Sequence, residues 1–296
     1  MTQPSSTESI NQATKNLDLL KPNELVSTFI EDQFNAVQAV KNAAPEIARA
    51  VELTVARLEL GGRLIYAGAG TSGRLAFLDA AELIPTFSWS KSRALVAMAG
   101  GNQAVFNAVE GAEDHFDQGR QDVLALEITA NDVVIAIAAS GTTPYALGAL
   151  EAAKSVGALR IGIANNPNTP ILEQAEVGIL LETGSEVISG STRLKAGTAQ
   201  KIALNTFSSS VMVRLHKVYG NLMVDLQATN IKLVKRAIRL TVLATNKTEA
   251  EATQALEQCG FQIKTAIVML ERNINTDQAR SLLERHHGNV RASLNP

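Results

Sequence analysis

The sequence predicts an α/β fold with a mostly parallel sheet, preceded by N-terminal helices and followed by a small all-helical C-terminal domain. Three observations carry this. Short, β-rich apolar runs alternate with helical stretches between residues 63 and 181. Two of those runs end in loops of glycine and hydroxyl residues that open a helix. Beyond Thr192 no convincing strand remains, only helical periodicity.

Each element follows from its local pattern. Residues 1 to about 20 are polar and read as loosely ordered. Residues 24–59 read as one or two amphipathic helices, stopped by Gly61-Gly62. Residues 63–67 form an apolar strand, and 72–83 a helix that ends before Pro85. Residues 94–99 are a short strand, with helical stretches at 102–109 and 117–126. Residues 132–139 are the clearest buried strand. The helix at 144–156 has Pro144 in its first position, where a missing N–H costs nothing. Strands follow at 160–164 and 177–181, then a long helix at 193–218 and another at 230–244. Shorter helices, punctuated by Cys259-Gly260, residues 273–275 and Gly288, complete the chain. At about 100–200 residues per domain a chain of 296 holds one large domain or two, and the expected division is 1–227 and 228–296.

Composition excludes several classes. Of 296 residues, 46% are hydrophobic and 19% charged, which supports a sizeable core and argues against a disordered chain. A formal net charge of -2 supplies no basic field for nucleic acid or acidic lipid. Beyond residue 227, ten Lys and Arg face six Asp and Glu, a surplus that fits a solvated face. One cysteine, Cys259, rules out an intrachain disulfide framework and Cys-rich zinc sites. Adjacent His286 and His287 would diverge by about 100° on a helix, so no metal site is expected. Residues 1–15 show no apolar signal segment, and Ser140 to Pro144 interrupts the longest uncharged stretch far short of a membrane span. A cytoplasmic protein is expected.

Three segments carry candidate chemistry. In Gly68-Ala69-Gly70-Thr71-Ser72-Gly73-Arg74, glycines permit a tight turn at a helix start, whose free N–H groups favour an anion. Turn geometry with an ordinary N-cap would use the same residues. The segment spells G-x-G-x-x-G, but no acidic residue follows the next strand to hold a ribose, so a dinucleotide fits less well than a terminal phosphate. Ser140-Gly141-Thr142-Thr143-Pro144 repeats the design, with Thr143 as a natural N-cap. Two such loops suggest a polar ligand across the carboxyl ends of the strands. Residues 186–201 place Ser189, Gly190, Ser191 and Thr192 before a helix carrying Arg193, Lys195 and Lys201. That segment reads as a ligand wall, a subunit contact or a solvated helix start.

The first two loops resemble those of sugar isomerase (SIS) domains, doubly wound α/β modules that bind phosphosugars. The runs GAGTSGRLAFLDAAE (68–82), AMAGGNQAVFNAVEGAED (97–114) and EVISGSTRLKAGTAQK (186–201) together resemble the N-acetylmuramic acid 6-phosphate etherase family, related to the glucokinase regulatory protein. The resemblance covers nearly the whole chain. It implies cleavage of the C3 lactyl ether of a phosphosugar by elimination, without metal or cofactor, in a homodimer.

It also implies roles for residues. Glu82 lies near the C-terminal end of the helix that starts at the first loop, where the helix dipole disfavours a carboxylate anion and suits an acid. By resemblance it protonates the departing lactyl oxygen. Glu113 sits beyond the helix-breaking Gly111 and, by resemblance, removes the C2 proton; Glu110 and Asp114 are its confounders. Thr71, Ser72, Ser140, Gly141 and Thr143 are expected at the phosphate, and Ser189, Ser191 and Thr192 at the sugar or lactyl group. Lys195 and Arg193 are either anion partners or ordinary solvated charges. His115 reads as a partly buried structural residue. Residues 288–292 end a run resembling a ubiquitin-associated helical bundle, read here as packing or dimer architecture. Two alternatives stand beside the etherase reading: a non-catalytic phosphosugar sensor that regulates a partner, and a phosphosugar isomerase. A DNA-binding sensor lacks the basic helix-turn-helix it would need.

Overall fold

Apolar runs buried on both faces need helices above and below, and the chain provides them. The computed structural model describes residues 6–228 and 230–295. Helices α1 (Pro22–Asn42) and α2 (Ala44–Glu59) lead into β1 (Leu64–Gly68). Then come α3 (Gly70–Phe87), β2 (Ala94–Met98), α4 (Phe116–Leu124), β3 (Val133–Ile137), α5 (Pro144–Val156), β4 (Leu159–Ala164), α6 (Pro170–Gln174) and β5 (Val177–Leu180). Helix α7 (Lys195–Arg214) is followed by α8 (Ile231–Thr245), α9 (Glu249–Gln258), α10 (Ile263–Arg272), α11 (Thr276–Arg285) and α12 (Val290–Leu294).

The described residues fall into two compact units, 6–81 with 91–208 and 82–90 with 209–295. The first holds the sheet. Its strands run parallel in the order β2-β1-β3-β4-β5. Every residue of β1 and β3 is buried, as expected for central strands covered on both faces. The second unit packs α8–α12 around Leu256, Ile267 and Val268. Side chains of Asn230, Thr248, Asn275 and Asn289 cap four of its helices. There Lys217 and Lys264 converge on one Asp225 oxygen at 2.9 and 2.8 Å.

A charged clamp fixes the start of the central strand pair. Asp132 accepts the Arg63 backbone N–H at 2.8 Å, the Thr129 N–H at 2.8 Å and the Arg63 guanidinium at 2.8 Å. Burial alone would raise its carboxyl; the Arg63 guanidinium and these N–H donors outweigh burial and hold it below the usual carboxylate range. A depressed acid stabilises the fold above its unfolded pKa and loses that contribution as pH falls through the folded value. Asp132→Asn is therefore expected to cost about 2–3 kcal/mol at pH 7. The gap in Tm between wild type and variant should narrow below about pH 4. A gap that stays constant down to pH 3 would show that the clamp acts through shape and not charge.

Four expectations are corrected. Residues 6–19, expected to be loose, form three short 3-10 turns with hydrogen bonds to the sheet unit; residues 1–5 lie outside the described residues. Helix α3 runs on through Pro85 to Phe87. The carbonyl that Pro85 leaves without an N–H partner belongs to the exposed Ala81, where water can satisfy it. The helix expected at 102–109 is only a 3-10 turn, Asn102–Val105, because Gly100 and Gly101 take positive φ and aim the chain away from a helix. The long helix expected at 193–218 starts at Lys195 and ends at Arg214.

Candidate active site

Strand order reverses between β1 and β3, which sit side by side with Gly68 opposite Ile137. Open α/β sheets bind ligands at such a switch point, outside the carboxyl ends of the strands. The first two hydroxyl-rich loops leave the sheet from these two strands. At the first, Gly70 takes φ 53° and α3 begins. A Cβ on Gly73 would lie 2.9 Å from the Gly68 carbonyl oxygen, so the strand and helix approach as closely as they do only because both residues are glycine. Thr71 stands half-buried beside Gly197 of α7. Ser72 is buried and points inward. Its hydroxyl donates to Gln200 Oε1 at 2.8 Å, Gln200 Nε2 donates to Asn165 Oδ1 at 2.9 Å, and Asn165 Nδ2 donates to the Leu181 carbonyl at 2.9 Å. This chain locks the first loop to α7 and to the ends of β4 and β5.

At the second loop Gly141 is buried with φ 74°, and a Cβ there would strike the Thr169 hydroxyl at 2.3 Å. The half-buried Ser140 and Thr143 hydroxyls lie 3.3 Å apart. Thr143 occupies the N-cap of α5, yet its hydroxyl does not cap the helix as the sequence led us to expect. It faces Ser140 instead, and the first turn of α5 has no side-chain acceptor from its cap. Two hydroxyls side by side at one helix start make an anion-compatible surface.

The third segment is built on a buried carboxylate. Glu186 is fully buried and accepts the Lys195 and Ala196 N–H groups at 3.1 and 3.0 Å, capping α7 from a distance. Burial pushes its carboxyl up, against the pull of those two N–H groups and the Lys195 charge. Lys195 is neither a solvated charge nor a free anion partner: its ammonium is buried against Asp32 of α1 at 2.7 Å. Arg193 is exposed. Ser191 and Thr192 are half-buried, while Ser189 is exposed.

Glu113 borders a cavity of about 200 Å³ together with Gly70, Arg74, Asn107, Glu110 and Gly111. Arg74 donates to the Val105 and Asn107 carbonyls, both at 3.1 Å, and so pins this loop over the first helix turn. Glu113, Glu110 and Asp114 are all exposed. His115, expected to be partly buried, is exposed at the N-cap of α4. Glu82 is an exposed residue of α3 that belongs to the second unit and is not among the described residues lining this cavity. The first unit thus carries Thr71 and Ser72 at the start of α3, Ser140, Gly141 and Thr143 on the loop that leaves β3, and Glu113 at the cavity beside Gly70. Sequence reading missed Asn165, Asn166 and Gln200. An Asn pair directly after a strand reads as turn chemistry, and Gln200 gives no signal within a helix. Among the described residues no three His, Cys, Asp or Glu side chains gather as metal ligands, and no helix is long and apolar enough to cross a membrane.

The glucokinase regulatory protein N-terminal SIS domain matches residues 46–154, and the SIS domain matches residues 107–210. Among solved structures, a phosphoheptose isomerase from Francisella tularensis superposes with a TM-score of 0.51 at 21% identity, over 66% of this chain and 100% of that one. This likeness shows the fold. An N-acetylmuramic acid 6-phosphate etherase of Deinococcus radiodurans is 53% identical over 99% of this chain and 96% of its own length. One from Serratia proteamaculans is 47% identical over 97% of each. With identity at that level across nearly its whole length, the chain belongs to the N-acetylmuramic acid 6-phosphate etherase family.

Proposed function

We propose that the protein cleaves the C3 lactyl ether of N-acetylmuramic acid 6-phosphate, giving N-acetylglucosamine 6-phosphate and D-lactate during peptidoglycan recycling. The observation that carries this reading is Glu113 on the rim of a cavity that the glycine loop after β1 also lines, in the sheet unit that bears both hydroxyl-rich loops. Relatives of that name at 47–53% identity support the substrate.

The chemistry follows from the bond. An unactivated ether resists direct displacement by water, but in the open-chain aldehyde the C2–H lies α to a carbonyl and is acidic enough for a side-chain base. In this reading the Glu113 carboxylate takes the C2 proton, the electron pair forms the C2–C3 double bond, and the C3–O bond breaks. Glu82 gives the lactyl oxygen its proton. Water then adds at C3 and a proton returns to C2, so the enzyme is a carbon–oxygen lyase in its first half-reaction. Nothing is oxidised or reduced overall. The half-buried Ser140 and Thr143 hydroxyls and the N–H groups opening α3 suit the 6-phosphate. Ser72 would serve from behind, through the buried bond to Gln200. A phosphorylated amino sugar as substrate fits a cytoplasmic enzyme.

A homodimer belongs to the same reading. Val26, Ile30, Phe34 and Val37 recur at helical spacing on α1 and stand more than half exposed, an apolar stripe suited to a second copy.

The test is incubation with N-acetylmuramic acid 6-phosphate in deuterated water, with lactate assayed and C2 followed by NMR. D-lactate together with an N-acetylglucosamine 6-phosphate deuterated at C2 is expected. Binding without lactate or exchange would overturn the enzyme and leave a phosphosugar sensor. Exchange with formation of a ketose would indicate an isomerase. Light scattering on the same sample should give twice the chain mass; a monomer would overturn the dimer.

A further inference from the structure

Residues 6–19 form no part of the apolar core, yet they are ordered. Among them only Thr7 is buried, and Ile10 and Leu19 are 67% and 75% exposed. What holds this segment is polar, and its partners are Asn166 after β4 and residues of segment 186–192. Thr7 and Asn166 bond reciprocally: the Thr7 N–H donates to Asn166 Oδ1 at 3.2 Å, and Asn166 Nδ2 donates to the Thr7 hydroxyl at 2.8 Å. Asn166 Nδ2 also donates, at 2.9 Å, to the carbonyl of Ala139, the residue before Ser140. Farther along, the Asn11 N–H donates to Ser189 Oγ at 3.2 Å and the Thr14 hydroxyl donates to the Val187 carbonyl at 2.8 Å. The Asn11 side chain shapes the turn by accepting the Ala13 N–H at 3.0 Å, which leaves its own N–H free for Ser189.

We propose that residues 6–14 are a strap that holds segment 186–192 in its sugar-binding shape, with Thr7, Thr14 and Asn166 as positioning residues. The proposal rests on the phosphosugar reading above. It has two anchors: one at Asn166 after β4, which itself bonds to Ala139 before Ser140, and the other at Val187 and the exposed Ser189. The strap also sets the polarity of Ser189. An N–H from Asn11 occupies a lone pair of that hydroxyl, so its O–H is left to donate outward, and a donor there suits a carboxylate, carbonyl or ether oxygen. The lactyl group carries two of these. Such a strap acts on substrate binding and leaves the proton transfers at C2 and C3 untouched.

The test is the isosteric double variant Thr7→Val with Thr14→Val, assayed by D-lactate release beside wild type. Thr7→Val deletes the bond from Asn166 Nδ2 and Thr14→Val the bond to Val187 with a longer local one to Asn11, while Asn166 Nδ2 stays bonded to Ala139. With each such bond worth a factor of about five, KM is expected to rise at least tenfold and kcat to stay within about twofold. Thr14→Ser, which keeps the hydroxyl, should restore most of the affinity lost in Thr14→Val. Amide exchange at residues 187–192 should quicken in Thr14→Val. A wild-type KM in the double variant would overturn the strap, as would a fall in Tm with KM unchanged. If the double variant does not fold, Thr14→Val alone carries the same comparison. Failure of the phosphosugar reading is seen separately, since wild type would then release no lactate.

Discussion

Glu113→Gln should lose both lactate release and deuterium exchange at C2, whereas Glu82→Gln should lose lactate release and retain exchange. The asymmetry follows from the order of the proton transfers. A base must take the C2 proton before the C3–O bond breaks, so without the Glu113 carboxylate neither event occurs. An acid acts only when the C3–O bond parts. A chain lacking the Glu82 proton would therefore still form the C2 carbanion, pick up deuterium from solvent and return to substrate. A positioned general acid or base contributes about 10²–10⁴-fold, so lactate release should fall by that range in each variant. Gln matches Glu in size and both residues are exposed, so neither change should disturb the fold. Glu110→Gln is the informative control, because Glu110 borders the same cavity. If Glu110→Gln abolished exchange and Glu113→Gln did not, the base would be the wrong carboxylate of this loop. If Glu82→Gln abolished exchange as well, one residue would be serving both C2 and the leaving oxygen.

Much of this site was legible because its signals are local. A strand followed by glycine and hydroxyls and then a helix start is a continuous motif, and both such loops emerge from adjacent central strands. Position on the sheet was not local. That β1 and β3 are neighbours while β2 lies outside them is a matter of tertiary packing, and only this order sets the two loops at the carboxyl ends of adjacent strands. The buried polar residues were hidden for the same reason. Ser72 and Gln200 are 128 residues apart, and Lys195 and Asp32 are 163 apart, so no spacing rule connects them. A hydroxyl in a glycine loop looks the same in sequence whether it faces a ligand or, like that of Ser72, a glutamine in the interior. The N-terminal segment misled because polarity was read as disorder. Its polar side chains are the anchors, and its partners Asn166, Val187 and Ser189 lie more than 150 residues away.

Gly148→Ala is expected to be among the most damaging single methyl additions in the chain. Helices α4 and α5 touch backbone to backbone: a Cβ on Gly148 would lie 2.0 Å from the Phe116 carbonyl oxygen, and one on Gly119 would lie 2.0 Å from that of Tyr145. Each glycine costs about 1 kcal/mol of helix propensity relative to alanine, so the two are unfavourable for the isolated helices. Their close approach offsets that cost, and the Tyr145 hydroxyl bond to Asp122 at 2.6 Å closes the same contact. A methyl that meets backbone cannot be absorbed by a rotamer change, so the helices must part. That should cost about 3 kcal/mol or more, a fall in Tm of roughly 10 °C, or loss of soluble protein. Gly157→Ala gives the contrast. Its φ is 73° but its nearest neighbour is 3.9 Å away, so it carries only backbone strain of about 1–2 kcal/mol. Equal losses in the two variants would refute the contact as the cause. The consequence reaches function through chain continuity. Helix α4 begins directly after the Glu113 loop and α5 directly after the Ser140 loop, so the distance between these helices fixes how far the proposed base stands from the proposed phosphate. A folded Gly148→Ala chain should therefore lose turnover beyond its loss of stability, although the altered residue itself has no side chain and touches no substrate.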